Sequence, residues 1–221
     1  MALDQSLAQI GQMVLAVGRL GPSGVALLGT AFLTRAPGKF ATAAHVVGQD
    51  HSNLVLILPK TMSLADYQDT SDQQVQTAKA TVVAHDPFRD LCVLQVPSDA
   101  RSNLPIGGSD AVTIGSEIAV FGFPHSNFGR LVLTYEQAEV GAKVLIDSSG
   151  IKSKHVVLNT QARPGQSGSP VLRLPDLMVV GVLIGSYAPG GGSGISLGGV
   201  DPHTLHQTTH AISAEYVTQM I

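Results

Sequence analysis

Pro164-Gly165-Gln166-Ser167-Gly168-Ser169-Pro170 is the stretch that decides how this 221-residue chain is read. A serine between two glycines can sit on a tight turn whose backbone comes close to a bound group. Serine is a weak nucleophile at its own pKa. It needs an imidazole to take its proton and a carboxylate to hold that imidazole in the right tautomer. Two upstream segments, Thr42-Ala43-Ala44-His45 and Arg89-Asp90-Leu91, supply one candidate for each role. Taken singly, each has a plainer explanation. Gly-Gln-Ser-Gly reads as an ordinary turn, a histidine flanked by alanine and valine as a core residue, and Asp90 as a carboxylate at a strand end. Their joint occurrence, in the order His45, Asp90, Ser167, favours nucleophilic catalysis.

Outward from these segments, short runs rich in valine, leucine, isoleucine and threonine occur at 13–17, 54–58, 80–84, 91–96, 131–135, 155–159 and 178–184. Glycine, proline, asparagine and aspartate separate them, which predicts an all-β chain. A hydrophobic content of 44% at this length is ample for a buried core. The polar stretch 97–109 is the best crossing between two halves, 1–103 and 104–221. That division leaves His45 and Asp90 on the first half and Ser167 on the second. A short helix is expected at 4–10 with Asp4 as its N-cap. A closing helix is expected after Ser213 as N-cap, with Glu215 in its first turn and Tyr216, Val217, Met220 and Ile221 as its apolar face.

Several function classes drop out. A net charge of -3 with no lysine or arginine cluster predicts no nucleic-acid partner. No apolar stretch is long enough to cross a membrane, and the N-terminus lacks a basic segment and a signal-like apolar run, so a cytoplasmic location is expected. The lone Cys92 cannot form an internal disulfide and, inside an apolar run, is expected to be buried and inert. Gly190-Gly191-Gly192-Ser193-Gly194 lacks the lysine and helix of a phosphate-binding loop. His203, His206 and His210 invite a metal reading, but no cysteine or acidic ligand set accompanies them, and no cofactor is implied. An α/β-hydrolase arrangement running Ser167, Asp201, then His206 or His210 fails, because position 169 is serine and Pro170-Val171-Leu172 reads as a strand.

Two further segments, Gly29-Thr30-Ala31-Phe32-Leu33-Thr34 and Ala119-Val120-Phe121-Gly122-Phe123-Pro124, stand before the histidine and between the aspartate and the serine. Together with the three segments above, they make the chain resemble the trypsin/chymotrypsin-like serine peptidases, in particular the disulfide-free bacterial branch of HtrA-type and glutamyl endopeptidases. The resemblance implies two packed antiparallel six-stranded β-barrels with a cleft between them and a C-terminal helix. It implies a serine endopeptidase acting on a protein or peptide substrate, with His45 as base then acid, Asp90 as its orienter and Ser167 as nucleophile. Activity would then fall as acid protonates the base.

By the same resemblance the N–H groups of Gly165 and Ser167 form the oxyanion hole. Gln161 stands at the specificity-pocket floor, where an aspartate would select arginine or lysine, so cleavage after basic residues is not expected. Ala162 and Leu183 replace the threonine and histidine of glutamyl endopeptidases, with His210 as a substitute for the latter. Ile184, Gly185 and Ser186 would bind substrate as an added strand. Gln166 occupies the place of the aspartate that receives a newly cut N-terminus in zymogen-activated members. A switch of another kind, through the 190–194 loop or a regulatory partner domain or chain, is an open expectation. The contrary expectation is a protease-like binding module whose cleft is closed.

Overall fold

The apolar runs become strands where they can bury one or both faces. The computed structural model describes residues 10–60, 64, 66–72, 74–187 and 208–221. The first half contains β1 (Val14–Gly21), β2 (Gly24–Leu33), β3 (Lys39–Ala43), β4 (Leu54–Ile57), β5 (Thr77–Lys79), β6 (Thr81–Asp86) and β7 (Leu91–Gln95). The second contains β8 (Glu117–Gly122), β9 (Thr134–Ser148), β10 (Ile151–Leu158), β11 (Pro170–Arg173), β12 (Met178–Tyr187) and β13 (Thr208–Ser213). Two single-turn helices, α1 (Ala44–Val47) and α2 (Glu215–Thr218), complete the elements used below.

The second half is a closed six-stranded barrel in the order β10-β13-β12-β11-β8-β9. The first is a seven-stranded sheet in the order β5-β4-β1-β2-β3-β7-β6, which agrees with the double-barrel architecture expected once β5 and β6 are counted as one interrupted strand. Its two edge strands, β5 and β6, are consecutive in sequence and separated only by Ala80, whose N–H bonds Leu54 O at 2.9 Å. One bent stretch therefore supplies both edges, and the sheet curls into a barrel through the chain itself. All pairings between named strands are antiparallel.

Each half has its own core. Leu33, Phe40, Leu54, Leu56, Cys92 and Leu94 pack in the first, and Ile118, Val120, Val156, Val171, Val180 and Leu183 in the second. A further cluster joins the halves through Phe32, Ile57 and Leu91 on one side and Phe121, Leu172 and Ile212 on the other. Burying each such side chain stabilises the fold by roughly 1.5–3 kcal/mol. That shared core packs the two halves against each other. Burial also pushes the Cys92 thiol up to about 12, as befits an inert structural cysteine.

Three local expectations turn out differently or lie beyond description. Leu131 and Leu133 pack against the shared core, yet β9 begins only at Thr134. The Gln68 amide takes both the N–H and the C=O of Leu133, each at 2.8 Å, in place of a neighbouring strand. Ser213 does not cap α2. Its hydroxyl accepts from Ser109 N at 2.8 Å, while Ala214 stands at the cap with no side-chain bond. The helix docks instead through buried Val217 and through Tyr216, whose ring lies 4.6 Å under the Arg89 guanidinium and whose hydroxyl accepts from Lys154 N at 3.0 Å. The helix expected at 4–10 falls almost wholly outside the described residues.

Candidate active site

Strand register brings His45 and Asp90 together. β3 and β7 pair with Ala43 opposite Leu91, so the next residues outward are Ala44 and His45 on one strand and Asp90 on the other. Asp90 adopts a left-handed backbone with φ of 55°, a conformation aspartate tolerates better than most residues. Three hydrogen bonds then lock it in place. Its carbonyl accepts from Ala44 N at 3.0 Å, Oδ1 from His45 N at 2.8 Å and Oδ2 from His45 Nδ1 at 2.6 Å. A proton on Nδ1 leaves Nε2 of the half-exposed ring with a lone pair.

Ser167 is fastened to the first half by Thr30 of β2. Thr30 N donates to Ser167 O at 2.9 Å, its hydroxyl donates to Gly165 O at 2.9 Å, and its carbonyl accepts from Thr42 Oγ1 at 2.6 Å. The same hydroxyl accepts from Phe123 N at 3.2 Å. One buried threonine thus fastens the serine loop to the strand that leads into His45. The approach is too close for any side chain at position 168: φ there is +87°, and a Cβ would lie 2.0 Å from Thr30 O. The sequence motif around Thr30 was visible, but nothing in it disclosed this role.

The Ser167 hydroxyl itself donates to Ile184 O at 3.0 Å, and no hydrogen bond joins it to the His45 ring. Around it the peptide planes are pinned by their carbonyls. Pro164 O accepts from His125 N at 2.6 Å and Gln166 O from Ser169 N at 3.0 Å. In a trans peptide the N–H points opposite to its carbonyl, so the Gly165 and Ser167 N–H groups are directed away from those partners. Gly165 has φ of +95°, and a Cβ there would meet Phe123 O at 2.4 Å.

The remaining predicted residues fall into two groups. The Gln161-Ala162 segment hangs on β13 through Thr209: Ala162 N donates to Thr209 Oγ1 at 2.7 Å and that hydroxyl donates to Thr160 O at 2.6 Å. Side chains alternate along a strand, so His210 faces the other way. It joins Ile184, Gly185, His155 and Asp90 in a cavity of about 400 Å³ that Phe88 and Ile146 also line. Ser186 of β12 pairs with Thr209 of β13. Burial pushes His155 down to about 4, helped by neighbouring His210 and opposed by Asp90, and burial lowers His210 as well. At neutral pH the cavity thus presents uncharged imidazoles, with Asp90 and Asp147 also in its lining. Sequence reasoning missed His155, which carried no motif. The 190–194 loop, Asp201, His203 and His206 lie outside the described residues.

A family model described as trypsin-like peptidase domain matches residues 29–182. A Rickettsia conorii protein named as a probable periplasmic serine endoprotease, DegP-like, is 26% identical over 166 residues, covering 73% of this chain and 29% of that protein. A Chlamydia pneumoniae protein of the same name is 30% identical over 174 residues, covering 76% of this chain and 30% of that protein. The chain therefore spans less than a third of either relative. Among solved structures, the active form of the Rv3671c protease from M. tuberculosis superposes with a TM-score of 0.69 at 21% identity, covering 96% of this chain and 80% of that one. The HtrA-type protease AlgW with a decapeptide gives 0.69 at 17% identity, covering 99% and 65%. The MamO protease domain from Magnetospirillum magneticum gives 0.68 at 14% identity, covering 96% and 97%. At these identities the structural likeness is one of fold. Because the family model covers well over half of the sequence, from the strand bearing Thr30 to the one leading into Ile184, the chain belongs to the trypsin-like peptidase domain family.

Proposed function

We propose that the protein is a serine endopeptidase working through Ser167, His45 and Asp90. The observation that carries this reading is the His45–Asp90 pair, closed by the 2.6 Å bond at Nδ1. Ser167 Oγ attacks the carbonyl carbon of a peptide while Nε2 of His45 takes the hydroxyl proton. The resulting oxyanion lies against the N–H groups of Gly165 and Ser167, where loss of one donor costs about 3–4 kcal/mol of transition-state stabilisation. As the C–N bond breaks, His45 gives its proton to the leaving amine. Water then attacks the acyl ester with His45 again as base.

The hydrogen bond from Ser167 Oγ to Ile184 O gives the free protein a resting state. A substrate laid along β12 at Ile184, Gly185 and Ser186 offers backbone N–H groups to the same carbonyls. Its arrival would displace the hydroxyl toward His45. The same resting bond is what a closed-cleft binding module would display, so that second reading stays in view. The halves 1–103 and 104–221 belong to the proposal too, supported by sheet strands that end at Gln95 and barrel strands that begin at Glu117.

A protein or peptide substrate fits this cleft, and the name of the AlgW structure mentions a bound decapeptide for that protein. The cytoplasmic location expected from sequence finds no support in the curated relatives, whose names place them in the periplasm. A single buried thiol is indifferent to either compartment. Among the described residues no helix is long and apolar enough to cross a membrane.

Labelling with a fluorophosphonate probe, read by intact mass, tests the proposal. One adduct on the parent, absent from Ser167→Ala and His45→Ala, is the expected result. A folded parent that takes no adduct would favour the binding-module reading.

A further inference from the structure

Gln166 is 1% exposed, the most deeply buried amide of the serine loop, and its two ends have different partners. Its Oε1 accepts from Arg163 N at 2.7 Å, and its Nε2 donates to Glu136 Oε2 at 3.4 Å. The chemistry permits only this orientation. A backbone N–H demands an acceptor and a carboxylate demands a donor. Glu136, on β9 opposite Val120 of β8, gathers two further donors from the same loop. Thr160 Oγ1 bonds its Oε1, and Arg163 Nη1 lies 3.7 Å from its Oε2. Arg163 O in turn accepts from Gln166 N at 3.0 Å. One carboxylate on a regular barrel strand therefore ties positions 160, 163 and 166 of the segment that runs into the nucleophile.

We propose that Glu136 is the positioning residue of the oxyanion loop, acting through the Gln166 amide to hold the Gly165 and Ser167 N–H groups in convergent directions. The inference rests on the peptidase reading above. It also gives a physical content to the glutamine at 166. Where a zymogen-activated relative would anchor this residue with a newly cut N-terminus, the chain supplies a carboxylate from its own sheet, so the loop is braced as soon as the barrel closes. The brace has a counterpart on the opposite side, where His125 N holds Pro164 O at 2.6 Å. Glu136 touches neither the hydroxyl nor His45, so its effect should appear in the transition state and not in ground-state binding.

The experiment compares hydrolysis of a peptide substrate by the full chain and by Glu136→Ala, Glu136→Gln, Gln166→Glu and the swap Glu136→Gln/Gln166→Glu, each checked for folding by its melting curve. Fluorophosphonate labelling of the parent comes first. A folded, unlabelled parent overturns the peptidase reading and this inference with it. With a labelled parent, Glu136→Ala is expected to lose about 100-fold in kcat with KM within about threefold, the pattern of an interaction made in the transition state. Affinity for a peptidyl boronate, which presents a tetrahedral oxyanion, should weaken in step. Gln166→Glu faces one carboxylate with another and should be at least as impaired. The swap restores one carboxylate and one amide to the contact and should regain about tenfold over Gln166→Glu, since coupled residues compensate each other. Unchanged kcat in folded Glu136→Ala, a loss confined to KM, or a swap no better than Gln166→Glu would each overturn the role of Glu136 while leaving the peptidase reading intact. Should Glu136→Ala fail to fold, Glu136→Gln and the swap decide the matter.

Discussion

The two walls of the cleft are finished to different degrees. On the first-barrel wall, Asp90 and the Ala44-His45 segment share three hydrogen bonds, two of them to the Asp90 carboxylate, and nothing need move before the imidazole can accept a proton. On the second-barrel wall the peptide planes around Ser167 are pinned, yet the hydroxyl rests on Ile184 O. The difference follows from where each group sits. His45 and Asp90 extend two paired strands by one register step, so the sheet itself sets their separation. Ser167 lies on a loop between β10 and β11, and a loop must be positioned by bonds from elsewhere: Thr30, His125 and Glu136.

The largest effect expected from this contrast is at the nucleophile. Ser167→Ala should abolish the probe adduct and lower kcat by a factor on the order of 10⁶. A residual adduct would mean that the hydroxyl on Ile184 O is not the reacting one. Next comes the wall that is already assembled. Asp90→Asn keeps the size of the side chain but not the acceptor pair, and should cost about ten-thousand-fold in turnover, measured with the same peptide. A loss of only about tenfold would show that the bonds to Ala44 N and His45 N, which asparagine can still accept, orient the segment without the bond at Nδ1.

Gly168→Ala tests how tightly the serine wall is fitted. With φ at +87° and a Cβ placed 2.0 Å from Thr30 O, either the β2 strand or the loop must yield. A stability loss of about 3 kcal/mol or more is expected in denaturant unfolding. A neutral result would show the loop to be looser than its hydrogen bonds suggest.

The smallest effect concerns the cavity lined by Asp90, Ile184 and His210, where His155 is pushed down to about 4 by burial. Its native value lies below the ordinary histidine value, so on acidification the unfolded chain binds a proton before the native one does. Stability is therefore lost as pH falls from about 6.5 toward about 4, by about 2 kcal/mol between pH 7 and 5. His210 lowers the value further and Asp90 opposes both. His155→Leu should flatten that part of the stability profile. An unchanged slope would place the titration elsewhere.

Much of this architecture was legible in residue order. The runs at 54–58 and 91–96 became β4 and β7, because β-branched and leucine-rich stretches between turn residues have little else to do in a folded chain. The glycines at 165 and 168 marked a tight turn for the reason the structure gives, positive φ with backbone and hydroxyl atoms too close for a Cβ. Less legible was β9, whose fifteen residues alternate charge and apolarity too weakly to stand out beside the core runs. Its hairpin with β10 turns on Ser149 and Gly150, both at positive φ, a two-residue loop whose Ser-Gly signal is easily overlooked. Ser213 illustrates the converse. It carries the preferred cap chemistry, but a tertiary donor, Ser109 N, claims its hydroxyl first.

The sequence by itself determined the chemical inventory and its order: an imidazole, a carboxylate, and a serine between two glycines that must be glycines, set in a chain of β period. Those properties are local, written in residue type and spacing. Only the tertiary structure decided that Thr209 and not His210 meets the Ala162 segment, that a glutamate on β9 braces the loop before Ser167, and that the resting hydroxyl lies on Ile184 O. Each of those contacts joins residues 17 to 47 positions apart through the closure of the second barrel. Spacing along the chain carries no record of which side chains a closing barrel will bring face to face.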